Sequence, residues 1–181
     1  MTNEKYQLIL GSGSPRRKEL IADLFLPFKV ETSDIEEKSD FIQPKDVVMD
    51  LAKQKGIAVL AQTGFKNPFV LAADTIVVLD NTILGKPHTR EKAKKMLESL
   101  SGRSHDVYTG VAFITKDHQK VFYEKTQVFF SDIPSQLLEH YLDTKDSLDK
   151  AGAYGIQKYS QGFIKSIEGS YSNVVGLPVY N

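Results

Sequence analysis

The sequence predicts an α/β fold built on a mixed sheet. Strand and helix candidates alternate through the first half of the chain, which is typical of parallel strand pairing. Two strand candidates in the second half are joined by a short polar segment, which indicates an antiparallel hairpin. The longest apolar run, "FVLAADTIVVLD", is rich in Val and Ile and is typical of a strand buried on both faces. The 181 residues contain no repeat and no long linker, so we expect a single domain over 1–181.

The first half of the chain contains the alternating elements. "YQLIL" predicts a strand that runs into a Gly-Ser loop, and "SPRRKELIADLF" predicts a helix, because Ser14 and Pro15 suit its N-cap and first position. "FKVETSDIEE" predicts a strand followed by an acidic loop. "PKDVVMDLAKQKGIAVLAQ" predicts a longer helix with an apolar face. The apolar run at 69–80 predicts one strand, or two strands around a kink.

The second half begins with "NTILGKP", which predicts a turn. "TREKAKKMLESLSG" predicts a helix capped by Thr89, with Gly102 beyond its end. "HDVYTGVAFIT" and "KVFYEKTQVFF" predict the hairpin, and "PSQLLEHYLDT" predicts a further helix. The glycine-rich remainder contains at least one predicted strand, at "FIKSI". Tyr154 and Tyr171 lie in this remainder. Packing on a nucleotide base is one interpretation of these tyrosines, but we expect both to fill the core.

Composition excludes several classes of protein. Lys plus Arg and Asp plus Glu both number 23, so the formal net charge is zero, which argues against a protein that binds nucleic acid through bulk charge. The absence of cysteine excludes thiolate nucleophiles and cysteine metal sites. The N-terminus lacks the pattern of a secretory signal, and no apolar run approaches the roughly 20 residues of a membrane helix. We therefore expect a cytoplasmic protein without a nucleic-acid or membrane partner.

Two arginines begin the first predicted helix, where the positive end of the helix dipole disfavours cations. The Gly-Ser loop before Arg16 and Arg17 matches neither the P-loop nor the dinucleotide fingerprint. One interpretation is that the arginines and the open backbone N–H groups hold a phosphate. The other is an ordinary capped helix whose arginines point into water.

Asp74 interrupts the most apolar segment of the chain. A buried carboxylate needs a partner, so Asp74 is either a metal ligand or general base, or an acceptor of backbone N–H groups at a bend. The acidic loop supplies Asp34, Glu36 and Glu37. One of these beside Asp74 would form an oxygen site suited to magnesium or manganese, and the alternative is a solvated turn.

Two lysines complete a possible polyphosphate site. Lys55 lies near the apolar face of the second predicted helix, and Lys86 follows the turn glycine of "LGKP". Each alone is typical of a surface lysine. Together with the two arginines and the carboxylates they indicate phosphoryl or nucleotidyl chemistry without a covalent intermediate. No serine lies in a recognisable triad, and no histidine pair has ligand spacing; His105 is interpreted as structural.

Seven motifs then carry a resemblance over nearly the whole chain: "SGSPRRKEL", "IEE", "LAKQK", "AADTIVVLDNTILGKP", "LSGRSHDVYTGVAFI", "LDKAGAYGIQ" and "GSYSNVVGLPV". In this order they resemble the Maf-like nucleotide pyrophosphatases. "AGAYGIQ" and "GSYSNVVGLP" are most similar to the branch that acts on dTTP and UTP, rather than the branch that acts on 7-methyl-GTP. The resemblance implies hydrolysis of a nucleoside triphosphate between its α and β phosphates, with a divalent cation (Mg²⁺ or Mn²⁺). It also implies a cytoplasmic homodimer that clears nucleotides, and a Maf/Ham1-like fold: a mixed, elongated, twisted sheet flanked by helices, with two lobes around a central cleft.

The resemblance also implies roles for individual residues. Asp74 corresponds to the general base of the "ADT" motif, and Glu37, with Glu36 as fallback, to an acidic residue that holds the metal with Asp74. Arg17, Thr75 and Gln157 correspond to positions associated with substrate choice. The catalytic set is Asp74, Glu37, Lys55 and Lys86; the substrate-binding set is Ser12, Arg16, Arg17, Thr75 and Gln157.

Two other functions stay open at this point. A nucleotide-binding regulator of septum formation and cell division, acting without turnover, is the main alternative. A pure binder of phosphate gains little from a carboxylate such as Asp74 beside its anionic ligand, whereas a metal-assisted catalyst needs one. A nucleic-acid-binding module is disfavoured by the zero net charge.

Overall fold

A computed structural model describes residues 6–180, and these form a mixed sheet with helices. The strands are β1 (Gln7–Leu10), β2 (Phe28–Val30), β3 (Pro68–Leu79), β4 (Thr82–Leu84), β5 (Ser104–Ile114), β6 (Gln119–Phe130) and β7 (Ile164–Glu168). The α-helices are α1 (Pro15–Ala22), α2 (Pro44–Gln62), α3 (Arg90–Leu100), α4 (Ser135–Asp143) and α5 (Tyr171–Val175). Short 3₁₀ segments span Ala151–Ala153 and Lys158–Phe163. Of the helices within 6–180, none is both long and apolar enough to cross a membrane.

The sheet has the strand order β2-β1-β3-β5-β6-β7. The seventh strand, β4, pairs with β3 and lies outside this order. β1 runs parallel to β2 and β3, whereas β7 runs antiparallel to β6. The predicted mixed α/β class is therefore confirmed. The apolar run at 69–80 lies in one strand, β3, so the alternative of two strands around a kink is wrong.

The segment predicted as a turn, "NTILGKP", contains a strand. Thr82–Leu84 pair with β3 in antiparallel register, and Leu79 faces Thr82 across a two-residue turn. Asp80 and Asn81 both have positive φ, 48° and 63°, which is the backbone of the tight turn that matches the twist of paired strands. Because neither turn residue is glycine, the sequence carried only a weak hairpin signal.

Contacts divide the described chain into two compact units. The first unit comprises residues 6–74 and 109–124, and the second comprises 75–108 and 125–180. β3, β5 and β6 each contribute residues to both units. The single domain over 1–181 and the cleft stay predictions.

Helix α2 packs against β5 at very short range in the first unit. A Cβ on Gly110 of β5 would lie 2.1 Å from the backbone oxygen of Val48, and one on Gly56 of α2 would lie 2.7 Å from Ile114. Both distances are far inside van der Waals contact, so a side chain at either position would force its neighbour to move, and at Gly110 that neighbour is the backbone of α2. This packing fixes the position of Lys55, the residue before Gly56, relative to the sheet. The buried apolar cluster of this unit contains Ile9, Ala52, Val59, Val70, Ala112 and Ile114.

The second unit has an aromatic core. Phe163 packs edge-on against Phe130 and Tyr141, with ring centroids 6.1 Å and 5.1 Å away. Tyr154 is 4% exposed, as expected for a core residue, but Tyr171 is 48% exposed, so its predicted place in the core is wrong. Tyr171 begins the short helix α5, whose buried face is formed by the residues that follow it.

Candidate active site

The loop between β1 and α1 holds the first predicted group, Ser12, Arg16 and Arg17. Ser14 caps α1 and accepts a hydrogen bond from the Arg17 backbone N–H at 3.5 Å, and Pro15 occupies the first turn. The Ser12 hydroxyl accepts hydrogen bonds from the Ser14 backbone N–H at 3.3 Å and from the Arg17 guanidinium at 3.2 Å. The Arg17 side chain therefore folds back over the loop, while Arg16 beside it is half-buried.

Charges of both signs surround the Arg17 guanidinium. Burial lowers the pKa of Arg17 below the ordinary arginine value, and the neighbouring Arg16 lowers it further. The carboxylates of Asp74 and Glu37 oppose this decrease. An arginine remains protonated throughout the physiological range, so Arg17 presents a fixed cation close to two carboxylates. An additional anion, such as a phosphate, would relieve the repulsion between the two guanidinium groups.

Lys55 joins Asp74 and Glu37. Its Nζ lies 2.6 Å from Oδ1 of Asp74 and 2.8 Å from Oε2 of Glu37. Asp74 is only 7% exposed, so the hydrogen-bonded ammonium offsets much of the cost of burying its charge. Because α2 contributes Lys55 and β3 contributes Asp74, this contact depends on the close packing that glycine permits between α2 and the sheet.

Of the two glutamates in "IEE", Glu37 is the one that faces Lys55. The Glu36 carboxylate instead pairs with the Lys38 ammonium at 2.7 Å, and both of those side chains are about three-quarters exposed. Half of the Glu37 side chain is also exposed, but its carboxylate pairs with Lys55, whose side chain is largely buried. This geometry favours Glu37 over Glu36 as the acidic partner of Asp74.

The carboxylates of Asp74 and Glu37 fit a hard divalent cation. Both oxygens already converge on one positive charge, the Lys55 ammonium, and carboxylate oxygens are the ligands that magnesium and manganese prefer. Within residues 6–180 no group of three or more His, Asp or Glu side chains is placed to hold a metal. Two carboxylates are sufficient where water and substrate phosphates supply the remaining ligands.

The other three predicted residues, Thr75, Lys86 and Gln157, belong to the second unit. The Gly152 backbone N–H donates to the Gly85 carbonyl at 3.2 Å, which holds the "AGAYGIQ" segment next to the turn that carries Lys86. Gly152 has φ +66° and packs against Val77 of β3. Lys86 is exposed, whereas Thr75 and Gln157 are half-buried. Their roles stay predictions.

One further residue of this region, Gln54, is not identifiable as a site residue from the sequence. Its side-chain amide reaches the acidic loop from α2. It lies inside the motif "LAKQK", directly before Lys55, but its own pattern is that of any polar residue on a helix surface. No local signal distinguishes it.

Comparison with known proteins agrees with the motifs. A family model described as "Maf-like protein" matches residues 7–181. A protein named dTTP/UTP pyrophosphatase from Bacillus cereus (strain G9842) is 46% identical over 174 residues, which cover 96% of this chain and 90% of that protein. A protein of the same name from Bacillus anthracis (strain CDC 684 / NRRL 3495) is 47% identical over the same shares.

A solved structure is similar in fold. The Staphylococcus aureus Ham1 protein superposes with a TM-score of 0.51 and 17% identity, over 71% of this chain and 73% of that one. At this identity the likeness concerns the fold alone. The family match, in contrast, spans nearly all of the sequence, and we conclude that the chain belongs to the Maf family.

Proposed function

We propose that this chain hydrolyses dTTP and UTP to the nucleoside monophosphate and pyrophosphate. Relatives at 46% and 47% identity carry the name dTTP/UTP pyrophosphatase and align with 96% of the chain. The observation that carries the proposal is the buried Asp74 carboxylate, which bonds Lys55 at 2.6 Å and lies close enough to Arg17 to influence its pKa. A general base beside phosphate-binding cations is what hydrolysis of a phosphoanhydride requires.

In this proposal the arginines bind and Asp74 moves the proton. Arg16 and Arg17, at the N-terminus of α1, hold the phosphate oxygens through paired N–H donors. Asp74 accepts a proton from a water molecule whose oxygen attacks the α-phosphorus. The bond from the α-phosphorus to the bridging oxygen then breaks, and its electron pair leaves with pyrophosphate. Lys55 keeps the Asp74 carboxylate oriented, since its ammonium contacts one oxygen and leaves the other available.

Asp74 and Glu37 would hold the divalent cation, which when bound supplies positive charge to the phosphates. Lys86 would contribute a further positive charge. Gln157, with an amide that both donates and accepts, would read the pyrimidine edge, and Thr75 would contact the base or the sugar. We further propose, on the family resemblance, a homodimer acting in the cytoplasm on canonical or modified pyrimidine nucleotides.

Pyrophosphate release from a nucleotide panel tests the proposal. The panel contains dTTP, UTP, CTP, dATP, GTP and 7-methyl-GTP, each with Mg²⁺, with Mn²⁺ and with chelator. We expect metal-dependent release from dTTP and UTP, with the monophosphate as co-product. Release from 7-methyl-GTP alone would keep the reaction and overturn the specificity. Binding without release from any nucleotide would favour the alternative, a regulator that acts without turnover.

A further inference from the structure

The loop that carries Glu37 contains neither helix nor strand. It spans residues 31–43, between β2 and α2, and lacks the ladder of backbone hydrogen bonds that holds regular elements in place. The Glu37 side chain is 51% exposed, and ion pairs at that exposure are weakened by water. The contact with Lys55 alone is therefore a poor anchor for Glu37.

Gln54 supplies a second anchor, and its partner in the loop is Lys38, the residue after Glu37. Its side-chain Nε2 donates to the backbone carbonyl of Lys38 at 2.9 Å and to Oδ2 of Asp50 at 2.8 Å. An amide nitrogen has two hydrogens, and both are used here. Asp50 lies one turn earlier on α2, so it fixes the direction in which the Gln54 amide points. The loop is thereby attached to the helix that also carries Lys55.

We propose that Gln54 is a positioning residue for Glu37. Gln54 acts without contacting the substrate. It holds the Lys38 carbonyl, and through it the Glu37 carboxylate, at the place where Glu37 and Asp74 converge. The inference rests on the proposed function, because it assigns Glu37 to the cation. Outer contacts of this kind typically change metal affinity or activity by 10–100-fold when removed.

The chemistry of the two acceptors allows a selective test. Both partners of the Gln54 amide are oxygens, so the position needs a donor and not merely a side chain of this length. Gln54→Glu preserves the shape and replaces the donor with a carboxylate that faces two acceptors. Gln54→Leu removes the hydrogen bonds without adding charge. A role in packing alone would tolerate the glutamate variant, whereas the positioning role would not.

Gln62 is a matched control on the same helix. Its Nε2 donates to the backbone carbonyl of Thr32 at 2.5 Å, at the start of the same loop and five residues before Glu37. Gln62→Glu therefore removes the same kind of amide-to-carbonyl contact from α2 to the loop, but at a position seven residues after Lys55 on the helix and five residues before Glu37 in the loop. The pair of variants separates an effect on Glu37 from a general loosening of the loop.

The experiment measures the Mn²⁺ concentration for half-maximal pyrophosphate release from dTTP. We expect it to rise about tenfold or more in Gln54→Glu and Gln54→Leu, with a smaller change in kcat at saturating Mn²⁺, and to stay within about twofold in Gln62→Glu. A wild-type Mn²⁺ requirement in Gln54→Glu, or an equal rise in Gln62→Glu, would overturn the inference.

Hydrogen exchange of residues 36–40 provides a readout independent of turnover. We expect faster amide exchange there in both Gln54 variants than in the wild type or Gln62→Glu. Equal exchange in all four proteins would refute the positioning role. If the wild type releases no pyrophosphate from any nucleotide, the proposed function fails, and the exchange result still decides whether Gln54 anchors the loop.

Discussion

Acidification should destabilise this protein through His105, which is buried in the second unit. The imidazole is 3% exposed, lies edge-on to Phe130 with centroids 4.9 Å apart, and shares a 2.5 Å hydrogen bond with the Tyr154 hydroxyl. Its Nδ1 has no hydrogen-bond partner within residues 6–180. Burial lowers the pKa of His105 from 6.5 to about 4. Burial also raises the pKa of Tyr154, so the phenol stays neutral and provides no counter-charge.

Whether acidification stabilises or destabilises the protein depends on which state, folded or unfolded, binds a proton at His105. Between pH 6.5 and 4 the unfolded chain binds a proton at His105 and the folded chain does not, so the stability present above pH 6.5 is lost as the pH falls towards 4. A pKa difference of this size corresponds to about 3 kcal/mol of unfolding free energy. Other groups also titrate in this range, so the quantity of interest is the difference between the wild type and a variant without the imidazole.

Urea unfolding at pH 7 and pH 4 measures that difference. The chain has eight tyrosines and no tryptophan, so tyrosine fluorescence and circular dichroism are suitable probes. We expect the wild type to lose about 3 kcal/mol more than His105→Gln on acidification, since the glutamine amide retains a partner for Tyr154 but does not titrate. An equal loss in both proteins would refute the assignment of this acid sensitivity to His105.

Two further predictions concern packing and specificity. Gly110→Ala should lower the free energy of unfolding by about 3 kcal/mol or more, because the new Cβ would lie 2.1 Å from the Val48 backbone oxygen. Gly64→Ala is the matched control in urea unfolding, because a Cβ there would meet no atom within 4 Å. Similar losses in both variants would contradict the close packing of α2 on β5. Gln157→Ala should reduce the preference for UTP over GTP in kcat/KM, because the pyrimidine edge loses its amide partner. An unchanged substrate profile would remove Gln157 from the recognition site.

Elements with a strong local signal were predictable from the sequence. Helix α2 begins at Pro44 and ends at Gln62 as its apolar face predicted, and Ser14 and Thr89 cap their helices as expected. Strand β4 was not predicted, because a segment of three residues is too short to show the alternation that distinguishes a strand from a turn. Its pairing with β3 is what identifies it as a strand. The short helix α5 was missed for the same reason.

The candidate site was predictable in its residue types but not in its contacts. Asp74 was identifiable because a carboxylate in an apolar strand needs a partner, but its partner, Lys55, lies 19 residues earlier and is reached only when α2 packs on the sheet. The choice between Glu36 and Glu37 depends on the path of a loop without periodicity. Gln54 acts through its contact with the loop backbone, and side chain–backbone contacts of this kind leave no pattern in a single sequence.

Pyrophosphate release from dTTP by Asp74→Asn, measured beside Asp117→Asn, tests whether Asp74 is the general base. Both variants replace one carboxylate with an amide of the same shape, but Asp117 lies exposed in the hairpin between β5 and β6. We predict that Asp74→Asn loses at least about 100-fold in kcat while dTTP still binds, and that Asp117→Asn retains wild-type turnover. Wild-type turnover in Asp74→Asn would show that the buried carboxylate held by Lys55 is not the base of the hydrolysis.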